Sequence, residues 1–350
     1  MIKKEKLIFV APILNSFIKK DYQILKQEFK VVKNIYSWHQ KILTPVFLIQ
    51  QFFYFLFITP SCSYILIEFG GYWSLIPSIF GKIYNKPTFI VIHGTDGCSI
   101  PSINYGSYRK KILAIFCEYS FKYAHRLLPV SDSLMKIKNT YSDIKSEELQ
   151  GVLNHFPSIK TPYTTLYNGL DINTWKVDKV VKEEASFITV FTNTQFLRKG
   201  GDLILSIAKK NRHCKFYMAG MTRPNHIENI SANVIFLGKL NPEELKTYYK
   251  KSRFNLQLAV FEGFGLALCE GMLSQCIPIG SSVNAIPQII GDTGYILKTK
   301  DINKLQLLIN KALSDKNKDE RGKRAQERIK SLYPLEKRQK KLIEIIKVAI

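Results

Sequence analysis

Residues 259–282 read AVFEGFGLALCEGMLSQCIPIGSS. An apolar strand ends at Val260, a turn holding Gly263 and Gly265 follows, and a helix begins near Leu266. A second apolar run, Ile277–Gly280, comes after the helix, so the stretch spells strand, turn, helix, strand. Glycines at such a junction let the backbone approach a ligand closely. The N–H groups at the helix start point at the same spot and favour phosphate there. Glu262 stands in the turn and Glu270 about one turn into the helix, so both carboxylates can face a ligand lying over the helix start. Carboxylates beside a diphosphate would repel it, which makes sugar hydroxyls their natural partners. Taken alone, the spacing also fits a plain strand–turn–helix with one solvated Glu and one Glu in the field of the helix dipole.

Outward from this stretch the same rhythm repeats. Short apolar, β-branched runs alternate with longer helical segments, the pattern of α/β units on parallel sheets. Upstream in the second half the strand candidates are Phe187–Phe191, Lys215–Ala219, Val234–Leu237 and Asn255–Val260. The first half offers Lys6–Ala11, Lys30–Ile35, Tyr64–Phe69, Thr88–His93 and Leu127–Ser131, with helices such as Tyr108–Tyr123 between them. A length of 350 residues calls for two domains rather than one. The boundaries read as 1–175 and 176–334, with a polar, turn-rich linker near Asp171–Glu184. Residues 335–350 form a closing helix with Leu342, Ile345, Ile346 and Ala349 at helical spacing, a stripe that must be buried, packing back toward the first domain.

Hydrophobic residues make up 46% and charged residues 23%, which suits a globular protein with a real core and argues against disorder. No run of about 18 consecutive apolar residues occurs, so a transmembrane helix is not expected. The opening MIKKEKLIFVAPIL has a basic flank like a short signal peptide. Its apolar part is brief and lacks a small-residue cleavage site, and it reads as a first strand. The six cysteines form no C-x-x-C pair and no zinc spacing, as buried thiols of a reducing compartment would. The net charge of +23 has two readings, attraction to anionic partners or a composition rich in Lys throughout. The apolar stretch Lys41–Ile58 also has two, a bilayer-surface segment or the helix between the second and third strands. Its position favours core packing.

The glycine-rich segment resembles the retaining glycosyltransferases of the family 4 type, whose hallmark is a Glu-x7-Glu motif, here Glu262 and Glu270 in EGFGLALCEGM. The resemblance runs from about Ile65 to the end. YNGLD (Tyr167–Asp171), RKGGDLIL (Arg198–Leu205), FYMAG, VIFLGKL and IPQIIGDTGYIL are similar to segments of that family. So are FIVIHGTDG and LPVSDSL in the first half. The implied fold is α/β, with two facing Rossmann-like domains (GT-B architecture) and a deep interdomain cleft.

By this resemblance Glu262 contacts the hydroxyls of the transferred sugar and Glu270 the ribose of the nucleotide. The amides of Phe264, Gly265 and Leu266 hold phosphate or sugar oxygens, and Lys199 neutralises the diphosphate with Arg198 beside it. From the other domain His93 and Gly94 line the sugar site, and Asp96 positions the acceptor. Three departures stand out: Thr194 where relatives carry Arg, no Gly-Gly turn in FVAPILNSFIKK, and Asn284 and Gln288 in place of a usual Gly and Glu. The implied reaction retains anomeric configuration and passes through an oxocarbenium-like state while charge builds on the leaving diphosphate. No Asp-x-Asp motif is present, so neither metal nor cofactor is expected. The expected partners are a UDP- or GDP-linked sugar donor, a glycan or lipid-linked acceptor and an anionic membrane surface, with no nucleic acid. The expected location is cytoplasmic, peripheral on the inner membrane face, in cell-surface polysaccharide synthesis. Rival readings are a nucleotide-sugar epimerase or phosphorylase on the same fold, and a non-catalytic basic protein that binds nucleic acid or lipid surfaces. An intact Glu262, Glu270 and Lys199 set favours the transferase.

Overall fold

The computed structural model describes residues 4–177, 181–225 and 227–349. They fall into two compact units. The first holds the chain to Lys138, then Leu149–Gly169 and Glu336 onward; the second holds Asn139–Glu148 and Leu170–Leu335.

In the first unit the chain runs β1 (Lys6–Val10), α1 (Ser16–Glu28), β2 (Lys30–Asn34), α2 (Thr44–Ile58), β3 (Tyr64–Glu68), α3 (Tyr72–Ile83), β4 (Thr88–Ile92), α4 (Lys111–Tyr123) and β5 (Arg126–Pro129). A small antiparallel pair, β6 (Ile137–Lys138) and β7 (Leu149–Gln150), and the short helix α5 (Val152–His155) follow. The main sheet is parallel throughout, in the order β2-β1-β3-β4-β5. Strands such as Tyr64–Glu68 and Thr88–Ile92 are buried at every position, because helices cover a parallel sheet on both faces. Right-handed crossovers put α1 on one face and α2, α3 and α4 on the other. The closing helix α13 (Leu335–Lys347) belongs to this unit from Glu336 onward and buries Leu342 and Ile346. Its Arg338 forms a buried two-point pair with Asp21 of α1, Nε to Oδ1 at 2.7 Å, and donates to the carbonyls of Leu166 and Tyr167.

The second unit runs α6 (Ile172–Trp175), β8 (Glu183–Val190), α7 (Gly201–Lys210), β9 (Lys215–Ala219), β10 (Val234–Gly238), α8 (Pro242–Lys251), β11 (Ser252–Gln257), α9 (Leu266–Leu273), β12 (Ile277–Ser281), α10 (Ile286–Ile290), β13 (Tyr295–Leu297), α11 (Ile302–Ser314) and α12 (Lys318–Leu332). The order is β10-β9-β8-β11-β12-β13, again all parallel. This is the doubly wound arrangement in which strand order reverses between the two central strands, here β8 and β11. The α/β class with two Rossmann-like domains, expected from the sequence, is therefore borne out.

Two expectations change. The stretch Asp171–Glu184, expected as linker, carries α6 and the first residues of β8, and its residues 178–180 lie outside the described residues. Asp171 caps α6, and Trp175 is buried edge-on against Tyr249, with its carbonyl bonded by Ser274 at 2.9 Å. Residues 170–175 thus sit in the second unit, together with Asn139–Glu148. The second change concerns α2. Lys41–Ser61 is long and apolar enough to cross a membrane by length and composition. Gln50 and Gln51 interrupt the run of consecutive apolar residues, yet the mean hydropathy of the segment is still 1.8. Core packing accounts for only a narrow stripe of this helix: Gln51 and Phe55 are buried, while Ile42, Ile49, Phe53 and Phe57 are exposed.

Candidate active site

Strand order decides where chemistry can gather in the second unit. Loops leaving the carboxyl ends of β8 and β11 diverge, because the chain turns to opposite sides of the sheet there. The first of these loops carries Arg198 and Lys199, the second Phe261–Gly265. They are tied together by backbone, Val260 N–H donating to the carbonyl of Arg198 at 2.8 Å. The tie needs Gly200, whose φ is +74° and whose Cβ would lie 2.2 Å from the carbonyl oxygen of Leu258. On the far side of the turn, α9 sits tight on β11. A Cβ at Gly271 would meet Asn255 Nδ2 at 2.2 Å, and that amide donates to the carbonyl of Ala267 at 3.0 Å.

Within this frame Lys199 Nζ donates to Glu262 Oε2, which also accepts from Gln257 Nε2 at 2.8 Å. Arg198 Nη1 donates to the carbonyl of Phe261 at 3.3 Å and lies 3.9 Å from the same Glu262 oxygen. Burial raises the pKa of the Glu262 carboxyl, but the charges of Lys199 and Arg198 and the two hydrogen bonds outweigh it, holding the group below the usual value. Burial lowers the Lys199 ammonium, with Arg198 adding to the effect and Glu262 and Glu270 opposing it. Glu270 therefore shares the electrostatic neighbourhood of Lys199. Gly265, at φ +113°, caps α9, so the helix opens with Leu266 directly beside this cluster. Phe264 is buried edge-on against Tyr333. The arrangement offers carboxylate acceptors for hydroxyls and, next to them, two cations and a helix N-terminus for phosphate.

Two positioning residues carry no signal in the sequence, and a third, Asn284, stands out there only as a departure from the resembled pattern. Gln257 holds Glu262 from the strand end. Asn139 Nδ2 donates to the carbonyl of Val260 at 2.8 Å. Asn284 accepts from the Glu262 N–H at 3.2 Å. For Asn284 a signal was available. By the resemblance it stands where Gly is usual, and its φ of +47° is a left-handed conformation that Asn tolerates better than most residues. At the other departures, Thr194 is exposed and bonded to Thr192, and Gln288 offers its carbonyl to Arg328. Where a Gly-Gly turn is missing after β1, Asn15 caps α1 by accepting from Ile18 N–H at 3.2 Å.

In the first unit, His93 follows β4, and its Nε2 lies 2.6 Å from Oε2 of Glu68 at the end of β3. Phe17 and Phe69 flank the imidazole, with centroids at 4.9 and 4.4 Å. Burial pushes the His93 pKa down to about 4, so the ring is neutral at pH 7, and burial raises Glu68 well above the carboxylate range. Asp96 corrects the sequence reading in one respect. It is fully buried, and its carboxylate accepts from the backbone N–H groups of Gly70, His93 and Gly94 at 2.8–3.1 Å. It braces the His93–Gly94 turn and has no surface to offer an acceptor directly. Glu68 was not singled out, since a lone Glu at a strand end carries no pattern.

Residues 173–330 match the family described as glycosyl transferases group 1. An uncharacterized 41.2 kDa protein in the cps region of Klebsiella pneumoniae is 25% identical over 68% of this chain and 65% of its own length. The O-antigen chain mannosyltransferase B of Escherichia coli is 29% identical over 23% of this chain and 21% of its own. The chain thus spans less than two thirds of these relatives. Anabaena HepE, solved in complex with UDP and glucose, superposes with a TM-score of 0.69 over 98% of this chain and 99% of that one, at 13% identity. That likeness bears on the fold alone.

Proposed function

From the group 1 glycosyltransferase match of the second unit, we propose that the protein is a retaining, metal-independent transferase. It moves a sugar from a UDP- or GDP-linked donor to a glycan or lipid-linked acceptor in cell-surface polysaccharide synthesis. The observation that carries this reading is the Lys199–Glu262 pair at the reversal of strand order, beside the start of α9. The donor enters by exchange. Phosphate oxygens take the ammonium of Lys199 and the guanidinium of Arg198, and sugar hydroxyls donate to Glu262. Glu270 receives the ribose hydroxyls, as the Glu-x7-Glu resemblance implies, and the amides of Phe264, Gly265 and Leu266 receive the remaining oxygens.

As the glycosidic bond breaks, charge grows on the diphosphate where Lys199, Arg198 and the helix start already stand. These groups need no reorganisation at that moment. The cations also supply the neutralisation for which a divalent ion would otherwise be required. His93 and Gly94 are carried as sugar contacts of the first unit, with the neutral imidazole held by Glu68. The cps-region and O-antigen relatives support a polysaccharide product.

The test is a melting-temperature screen across UDP- and GDP-sugars, followed by transfer to lipid-linked and free glycans. A cognate donor at 100 times its Kd stabilises the native state by about 2.7 kcal/mol. No stabilisation and no turnover with any nucleotide sugar would overturn the reading. Epimerised donor formed without acceptor would replace it with an epimerase.

A further inference from the structure

An α-helix that is apolar all round belongs inside a core or in lipid. In α2 one face meets that need. Gln51 and Phe55 are fully buried, and Gln51 Nε2 donates to Asn34 Oδ1 at 2.8 Å and to the carbonyl of Trp73 at 3.1 Å. The opposite face stays bare. Ile42, Val46, Ile49, Phe53 and Phe57 recur at intervals of three and four residues, one stripe along the segment. Their exposures reach 92% for Ile42 and 77% for Phe57. On the same side of the sheet, α4 exposes Ile112 and Ile115.

The exposed charge along the chain that builds this face has almost one sign. Between Glu28 and Glu118 the chain contains only two acids, Glu68 and Asp96, and both are fully buried. The same span carries Lys30, Lys33, Lys41, Lys82 and Lys86, and the run Arg109–Lys110–Lys111. Lys41, at the start of the apolar stripe, lies close enough to Lys110 to repel it, as does Arg109. Cations are thus gathered at one end of a bare aromatic and aliphatic face.

We propose that the exposed face of α2, with Lys41, Arg109 and Lys110 at its head, is a docking surface for an anionic lipid bilayer, and that the helix lies in the plane of the interface. Aromatic and aliphatic side chains enter the boundary between headgroups and acyl chains, while the lysines reach the phosphates. The helix does not span the bilayer, because Gln51 and Phe55 bind it to the sheet and to α3 along its length. A bilayer suits this surface better than a protein groove, since it accepts a convex apolar face and supplies unbroken negative charge. The proposal is independent of the transfer reading and stands or falls by itself.

The test is flotation of the full-length protein with phosphatidylcholine vesicles, with and without phosphatidylglycerol, at low and high salt. The protein floats with anionic vesicles at low salt, and high salt releases it. The double variant Phe53→Ser/Phe57→Ser stays in solution. Lys41→Ser/Lys110→Ser lowers partitioning about 30-fold, a contribution of about fivefold per lysine. Unchanged melting temperatures show that both variants remain folded. Four results overturn the proposal: no flotation with anionic vesicles, equal binding to neutral vesicles, retention at high salt as for a spanning helix, or a wild-type dimer that the Phe substitutions dissociate.

Discussion

The ammonium of Lys199 meets the carboxylate of Glu262 across two loops that leave the two central strands of one sheet. Both side chains are mostly buried, so neither is a freely solvated charge, and each depends on the other until a ligand intervenes. Removing one partner of such a pair leaves an uncompensated charge behind.

Glu262→Gln keeps the shape of the side chain and removes its charge. The variant folds, binds donor and loses transfer, measured by product formation beside a melting curve. Glu270→Ala instead raises the donor KM with kcat largely kept, because ribose contacts are made equally in ground and transition states. Wild-type turnover in folded Glu262→Gln contradicts the first assignment, and a pure kcat loss in Glu270→Ala contradicts the second.

Lys199→Ala removes a cation aimed at developing charge and lowers kcat about 100- to 1,000-fold. Treatment with EDTA leaves wild-type turnover intact. Inhibition by EDTA that magnesium or manganese reverses shows that a metal does the work assigned here to Lys199 and Arg198.

Asn284 combines a left-handed backbone with a hydrogen bond to the Glu262 N–H. Asn284→Gly keeps the backbone and loses the bond; Asn284→Ala loses the bond and strains the backbone. The Ala variant is less stable than the Gly variant by about 1–2 kcal/mol, read from denaturant unfolding. Equal stabilities show that the left-handed turn exerts no constraint.

His93 has its pKa pushed down to about 4, so NMR detects a neutral ring from pH 8 to about pH 5. A midpoint near 6.5 refutes its burial against Glu68. In the unfolded chain the imidazole takes up a proton from about pH 6.5 downward, while the folded chain resists until about pH 4. His93 therefore subtracts stability as pH falls through that window. Glu68, with its pKa raised, works the other way, and its stabilisation is lost as pH climbs above the usual carboxylate value. His93→Gln retains more stability than wild type when taken from pH 6.5 to pH 4.

Local pattern was enough for the elements and for the motif. Lys215–Ala219 reads as a strand from its short apolar run, and Leu342 and Ile346 read as part of the buried stripe of the last helix. Both are short-range properties of the chain. The Glu262 and Glu270 spacing and the glycines before α9 are likewise written within one turn and one helix. Long-range pairing is not. Lys199 and Glu262 stand 63 positions apart, and only the order β8-β11 brings them together. Arg198 turns toward Glu262 because Val260 holds its carbonyl, and Asp96 faces inward because three backbone N–H groups demand its oxygens. Nor could α2 be assigned from its own residues. A helix apolar on every side is the same string whether it is buried or bare, and the sheet beneath it covers only one face. Composition set how much apolar surface the chain must hide, and tertiary packing decided which part of it stayed exposed.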